Sequence, residues 1–192
     1  MGQSTDKVAE AVLQLVARTP ESTQRLSERP AEAARKVAHE AASRAALAAG
    51  ALALPPGPVG WLTILPEMMT VWRIQAQLVA DVAALYGRSA ELGSSQMLYC
   101  LFRYTAAQAV RDLVVRVGER FVVRPVVGSA LQKLAKTVGL KLGEKLVGKS
   151  VSRWVPLIGA MGVSAYAFYD TRQVGLTAMK LFEREQVIDA EA

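Results

Sequence analysis

Four polar side chains, Thr70, Arg73, Gln77 and Asp81, recur in a largely apolar stretch at spacings of three, four and four residues. Those spacings place them on one stripe of a helix. An arginine and a carboxylate two turns apart, with a glutamine between them to bridge, suit two kinds of chemistry. One is a polar groove or ligand-contacting face. The other is a buried hydrogen-bonding network that fixes helix register, because buried charges must be paired. Asp170 and Arg172, far along the chain, are candidate cross-helix partners for the same stripe. The usual material of catalysis is missing. His39 is the single histidine and Cys100 the single cysteine, so a Ser-His-Asp or Cys-His arrangement would rest on tertiary folding alone. Cys100 follows Tyr99 in an apolar context that suits a small core residue. Neither a phosphate-binding P-loop nor a dinucleotide fingerprint occurs. Glu67 and Asp81 are too far apart on one helix to share an ion without outside ligands. No catalytic residue, metal site or cofactor is therefore expected, and an enzyme or small-molecule site around Arg73, Gln77, Asp81 and Asp170 is the weaker alternative.

A second set of residues suits a charged surface. Between Arg111 and Arg153 stand ten basic and three acidic residues. Within this segment Lys141, Lys145 and Lys149 form an i, i+4, i+8 row, with Leu142, Leu146 and Val147 on the other side, and Arg153 follows. Such a face suits anionic headgroups. Nucleic acid is not expected, because no helix-turn-helix pattern accompanies the charge and no aromatic residues interleave the lysines. Trp61 and Trp154 each border an uncharged run, as interfacial anchors do. Core tryptophans at helix starts would look the same.

These residues must be positioned by helices. Ala45 to Pro66 is a run without a single charge, AALAAGALALPPGPVGWLTILP, broken by Pro55, Pro56 and Pro58. Proline removes a backbone donor and clashes with the preceding turn, so no straight helix crosses PPGP. The run reads as two apolar half-helices folded into a hairpin. Ahead of it, a short helix capped by Ser4 or Thr5 runs through Val16, residues 20–30 form a polar loop, and a helix over Ala31–Leu54 begins charged and ends almost purely alanine, leucine and glycine. After PPGP, a central helix over Trp61–Tyr86 stops at Gly87. A helix capped by Ser94 or Ser95 is expected to continue to about Arg120. Leu131–Val138 and Leu140–Val151 are expected as two basic amphipathic segments separated by Gly139. Pro156 opens the last helix, whose uncharged part, Trp154–Tyr169, is shorter than the ~20 residues needed to span a bilayer. Gly139 and Gly143, and Ala160 and Ser164, are small-xxx-small pairs that permit close helix approach.

At 192 residues, with 52% hydrophobic and only 6% aromatic residues, the chain has the material for one all-α, single-domain helical bundle packed through small side chains. The N-terminus lacks the basic start and apolar core of a secretory signal, and a single cysteine leaves no internal disulfide. A cytoplasmic chain, or the cytoplasmic face of a membrane, is the expectation.

Residues 50–87, GALALPPGPVGWLTILPEMMTVWRIQAQLVADVAALYG, resemble the central region of the EcsC family. There a Gly/Pro-rich apolar entry leads to a long helix ending in Ala-x-x-Tyr-Gly, here Ala83 to Gly87. Residues 153–182 are similar to that family's closing signature, through Pro156, Gly159, Ala160, Thr171, Ala178 and Phe182. The resemblance covers about residues 40–185. It implies an N-terminal variable segment over 1–40 and an EcsC-like helical domain over 41–186. It also implies a bacterial setting, and it transfers no catalytic residue. Composition and resemblance together lead to a non-enzymatic helical protein, peripheral on the inner face of the cell membrane. Its partners would be anionic lipids or a membrane protein, with Trp61, Trp154, Lys141, Lys145, Lys149 and Arg153 at the contact. The alternative is a soluble helical adaptor that binds a protein partner through residues 1–40.

Overall fold

Alanine sets the closest approach in this molecule. Along Pro30–Leu52 (α2), Ala34, Ala38, Ala41, Ala45 and Ala49 recur every three or four residues, and all are buried. This stripe faces Pro156–Asp189 (α6), with which α2 makes its most extensive contact. The two helices run antiparallel. Ala38 lies against Gly175 and, further along α2, Gly50 lies against Ser164. A Cβ built on Gly175 would stand 2.8 Å from Ala38 Cβ and 3.3 Å from Leu78 Cδ2, so glycine there is what admits the neighbouring helix.

The computed structural model describes residues 2–52, 60–104, 107, 114–117, 120–123, 128–148 and 156–189, with side chains placed within 7–51, 68–104, 107, 123, 128–138, 140 and 161–183. Besides α2 and α6, its helices are Gly2–Ala17 (α1), Gly60–Leu85 (α3), Ser94–Phe102 (α4) and Gly128–Gly148 (α5). A single 3-10 turn spans Ser89–Glu91. The fold is an all-α, single-domain bundle. α2, α3 and α6 pack on one another, α1 pairs with α5, and α4 bridges α1, α3 and α6. The expected hairpin is there in its two arms, since α2 ends at Leu52, α3 starts at Gly60 and the two helices pack together. The PPGP turn itself lies outside the described residues. One continuous core joins Val12 and Val16 of α1 to Leu78 and Val82 of α3, Phe102 of α4 and Phe182 of α6. Trp72 belongs to it, edge-on to Phe102 at 5.3 Å between ring centroids. A boundary at residue 40 falls inside α2, and α1 shares this core with the rest of the chain.

Local chemistry explains the helix ends. α3 stops in a Schellman turn: Gly87 takes φ 72°, its N–H donates to Ala84 O at 2.9 Å, and the Arg88 N–H donates to Ala83 O at 2.7 Å. Glycine accepts this left-handed backbone without strain. Burial raises the Tyr86 phenol above its ordinary value, the Glu183 carboxylate adds to the effect, and Arg35 opposes it.

Three sequence expectations are corrected. Helix α4 ends at Phe102 rather than near Arg120. Val114–Val117 (β1) and Arg120–Val123 (β2) instead pair antiparallel, with Val114 opposite Val123 and Val117 opposite Arg120. Valine and phenylalanine dominate both strands, and β-branched and aromatic side chains fit an extended, pleated backbone better than a helix. Helix α5 runs unbroken through Gly139, because one interior glycine costs a helix only about 1 kcal/mol and does not end it. The residue capping α4 is Gly93 rather than a serine: it is extended, and its N–H donates to Gln96 Oε1 at 3.3 Å.

Gly175→Val should destabilise the bundle by about 1–3 kcal/mol through overpacking, read from urea denaturation. The Tyr86 phenol holds its proton to higher pH in the folded chain than in the unfolded one. Its contribution to stability is therefore complete below about pH 10 and is lost as pH rises from there through the folded-state value. Denaturation at about pH 9 and about pH 11 should show that loss, and Tyr86→Phe should shrink it.

Candidate functional site

The polar stripe of α3 meets the irregular strap between α1 and α2, residues 18–29. Asp81 is only 7% exposed. Its Oδ1 accepts hydrogen bonds from Ser22 Oγ at 2.7 Å and from Gln77 Nε2 at 3.0 Å. Gln77 Nε2 also donates to the Glu21 carbonyl at 3.0 Å. Two further bonds tie the strap down: the Ser27 N–H donates to Leu85 O at 3.1 Å, and Thr19 Oγ1 donates to Leu92 O at 3.4 Å. The stripe thus pins twelve residues of irregular chain across the C-terminal half of α3. Arg73, on the same stripe, is exposed, so Gln77 bridges Asp81 to the strap rather than to Arg73.

Between strap, α2 and α3 lies an open groove of about 680 Å³, lined among others by Glu21, His39, Glu40, Arg44, Gln77 and Asp81. His39 is exposed, and its ring stands edge-on to Phe168 of α6. No group of three or more histidine, cysteine or carboxylate side chains among the described residues is placed to hold a metal ion.

Asp170 finds a partner that the stripe does not contain. Gln75, fully buried, donates from Nε2 to Asp170 Oδ2 at 2.8 Å and to Thr171 Oγ1 at 3.2 Å. Its Oε1 is buried and has no donor among the described residues. The amide orientation follows from chemistry, since the reversed amide would present an acceptor to a carboxylate. Tyr166, one turn before Asp170, has its phenol raised by burial and by the Asp170 carboxylate. Arg172 is exposed and stands apart from this cluster. Gln75 carried a readable signal. It occupies the apolar stripe through Val71, Trp72, Leu78, Val79 and Val82, and a polar residue at such a position needs a buried partner.

The end of the bundle where Gly50 meets Ser164 is different in kind. Leu47 is 75% exposed and Met161 71% exposed, and Val163, Tyr166 and Tyr169 are exposed beside them on α6. No charged residue lies within 45–66 or 154–169. No helix among the described residues is long and apolar enough to cross a membrane. On α5, which packs on α1, Lys133 and Lys136 are exposed. Backbone alone is described for Lys141 and Lys145, whose side chains, with that of Trp61 and all of Lys149, Arg153 and Trp154, lie outside the described residues. Cys100 is buried in the core.

No family model, curated protein or solved structure matches this chain.

Ser22→Ala removes one of two donors to a nearly buried carboxylate. It should cost about 1–3 kcal/mol in denaturation experiments. Trypsin should then cut at Arg25, which is exposed on the strap, faster than in the parent.

Proposed function

We propose that this chain is an EcsC-like helical protein that rests on the inner face of the bacterial cell membrane and acts by binding there rather than by catalysis. The observation that carries this reading is the exposed apolar end of α2 and α6, with Leu47 and Met161 both more than two-thirds exposed. Large apolar side chains exposed together at one end of a bundle suit contact with lipid or protein. Lipid is favoured by what surrounds it. Leu47 belongs to the charge-free stretch 45–66 and Met161 to the charge-free stretch 154–169, and the lysine row precedes α6 directly in sequence. Eight chain steps separate Gly148 from Pro156, which limits the gap between the end of α5 and the start of α6 to about 30 Å.

The mode of contact follows from the backbone. PPGP offers carbonyls without matching donors, and hydrocarbon cannot satisfy them. The apolar end therefore enters the interface shallowly and does not span. Tyr166 and Tyr169 suit that depth, since each presents an apolar ring and a polar tip. Lys141, Lys145, Lys149 and Arg153 would meet anionic headgroups, each worth about 1 kcal/mol near the surface.

Co-flotation with vesicles tests this. The protein should float with vesicles containing phosphatidylglycerol and less with phosphatidylcholine alone, and should release as salt rises and the Debye length shrinks. Replacing Lys141, Lys145 and Lys149 by Glu should weaken association by at least about a hundredfold. Leu47→Glu with Met161→Glu should abolish what remains at high salt. A protein that stays soluble with anionic vesicles but is captured by a partner through residues 1–40 is an adaptor instead, and the lipid reading falls.

A further inference from the structure

Three arginines on three helices stand at one level of the bundle. The hydrogen bond from Gln75 to Asp170 fixes that level of α3 against α6. Arg73 comes two residues before Gln75 and Arg172 two residues after Asp170, each about 3 Å along its helix. On α2, Ala38 lies against Gly175 and Gly50 against Ser164, so Arg44, midway between them, comes level with Tyr169 and Asp170. All three arginines are exposed, and none has an ion pair among the described residues. Beyond this level the charges stop. α2 has none from Ala45 to Leu52, and α6 has none from Tyr169 back to Pro156. Glu67, six residues beyond Arg73, is the one exception on α3, and it keeps that helix the shallowest of the three in any apolar medium. The order of side chains along α6 is informative. Tyr169 and Tyr166, both exposed, follow the arginine level at about 2 and 6 Å, and Val163 and Met161, also exposed, at about 11 and 14 Å.

We propose that Arg44, Arg73 and Arg172 are the phosphate contacts of this apolar end, seated on the headgroups of one leaflet of an anionic bilayer while Val163 and Met161 enter the acyl chains beneath. This rests on the membrane reading above and adds to it a depth, an orientation and a second set of cations. Guanidinium suits the role, because its planar fork meets phosphate oxygens two at a time. The sequence of cation, tyrosine and aliphatic side chain matches the change from phosphate through interface to hydrocarbon. The spacing matches too. A headgroup layer is about 6 Å thick, so with the arginines at the phosphates Tyr166 reaches the edge of the hydrocarbon and Met161 lies several ångströms inside it. That depth stays within one leaflet.

The test reads depth as well as binding, on the full chain with vesicles of phosphatidylglycerol and phosphatidylcholine. Cys100 is buried, so Met161→Cys, Tyr169→Cys and Lys180→Cys, all at exposed positions, each take a fluorophore at the new thiol. A nitroxide near the top of the acyl chain should quench the label at 161 most. A nitroxide on the headgroup should quench the label at 169 most. Neither should reach the label at 180, about 15 Å along α6 on the other side of the arginine level. Replacing Arg44, Arg73 and Arg172 together by Gln alters only exposed side chains and should weaken association about a hundredfold. Lys at the same three positions should restore most of it, since the charge returns. Association of the Gln variant at the parent's strength overturns the proposal and leaves the membrane reading standing. So does a parent that floats with vesicles while its label at 161 escapes the acyl-chain nitroxide. A parent that never associates with anionic vesicles overturns both.

Discussion

Everything in this fold is arranged around the distance between two helices. The alanine stripe of α2 and the small residues Ser164 and Gly175 of α6 let the two backbones come together with only small side chains along most of the seam. That contact yields little apolar area per residue, so the larger side chains are displaced outward to a second layer. Leu78, Val82, Phe102 and Phe182 supply the bulk of the buried surface there. Because the alanines do the spacing, α3 can reach α6 closely enough for Gln75 to hydrogen-bond Asp170. The two layers divide the work between geometry and energy.

Polar groups then decide register. An alanine contact tolerates sliding, since one alanine looks like the next. Gln75 with Asp170 and Thr171 marks one level of α3 against α6, and Asp81 with Ser22 marks another against the strap. Both pairings are charge-assisted, which makes a shift of one turn expensive. The strap joins α1 to α2, so the bonds to Asp81 hold the chain that leads out of α1.

Much of this could be read in advance, and the parts that could not have physical causes. Pro55, Pro56, Pro58 and Gly87 are punctuation whose effect is local, and the helices they bound begin and end within two residues of expectation. The stripe through Gln77 and Asp81 was legible from spacing alone, because helical period is a property of the chain. What lay beyond reach was the choice of partner. Arg73 looked like the natural counter-charge for Asp81, but an exposed arginine loses nothing to water, whereas a serine on a passing loop gains from the contact. The segment after Phe102 failed for a different reason. VVRV and RFVV contain no proline and no strong turn dipeptide, so a helical reading of alanine-rich flanks carried over into residues whose β-branching opposes it. Gln75 lies on the opposite face from the polar stripe, and its partners Asp170 and Thr171 come from a helix almost a hundred residues away, so spacing within α3 does not reveal them.

The alanine seam has a mechanical corollary. Alanine has no side-chain rotamers, so its burial forfeits no side-chain entropy and leaves nothing to rearrange. A seam of leucines can absorb a push by switching χ angles, but this one cannot. Any change at this seam must therefore come from displacement of whole helices, so a substitution there is felt along the length of α2 and α6 rather than at one side chain.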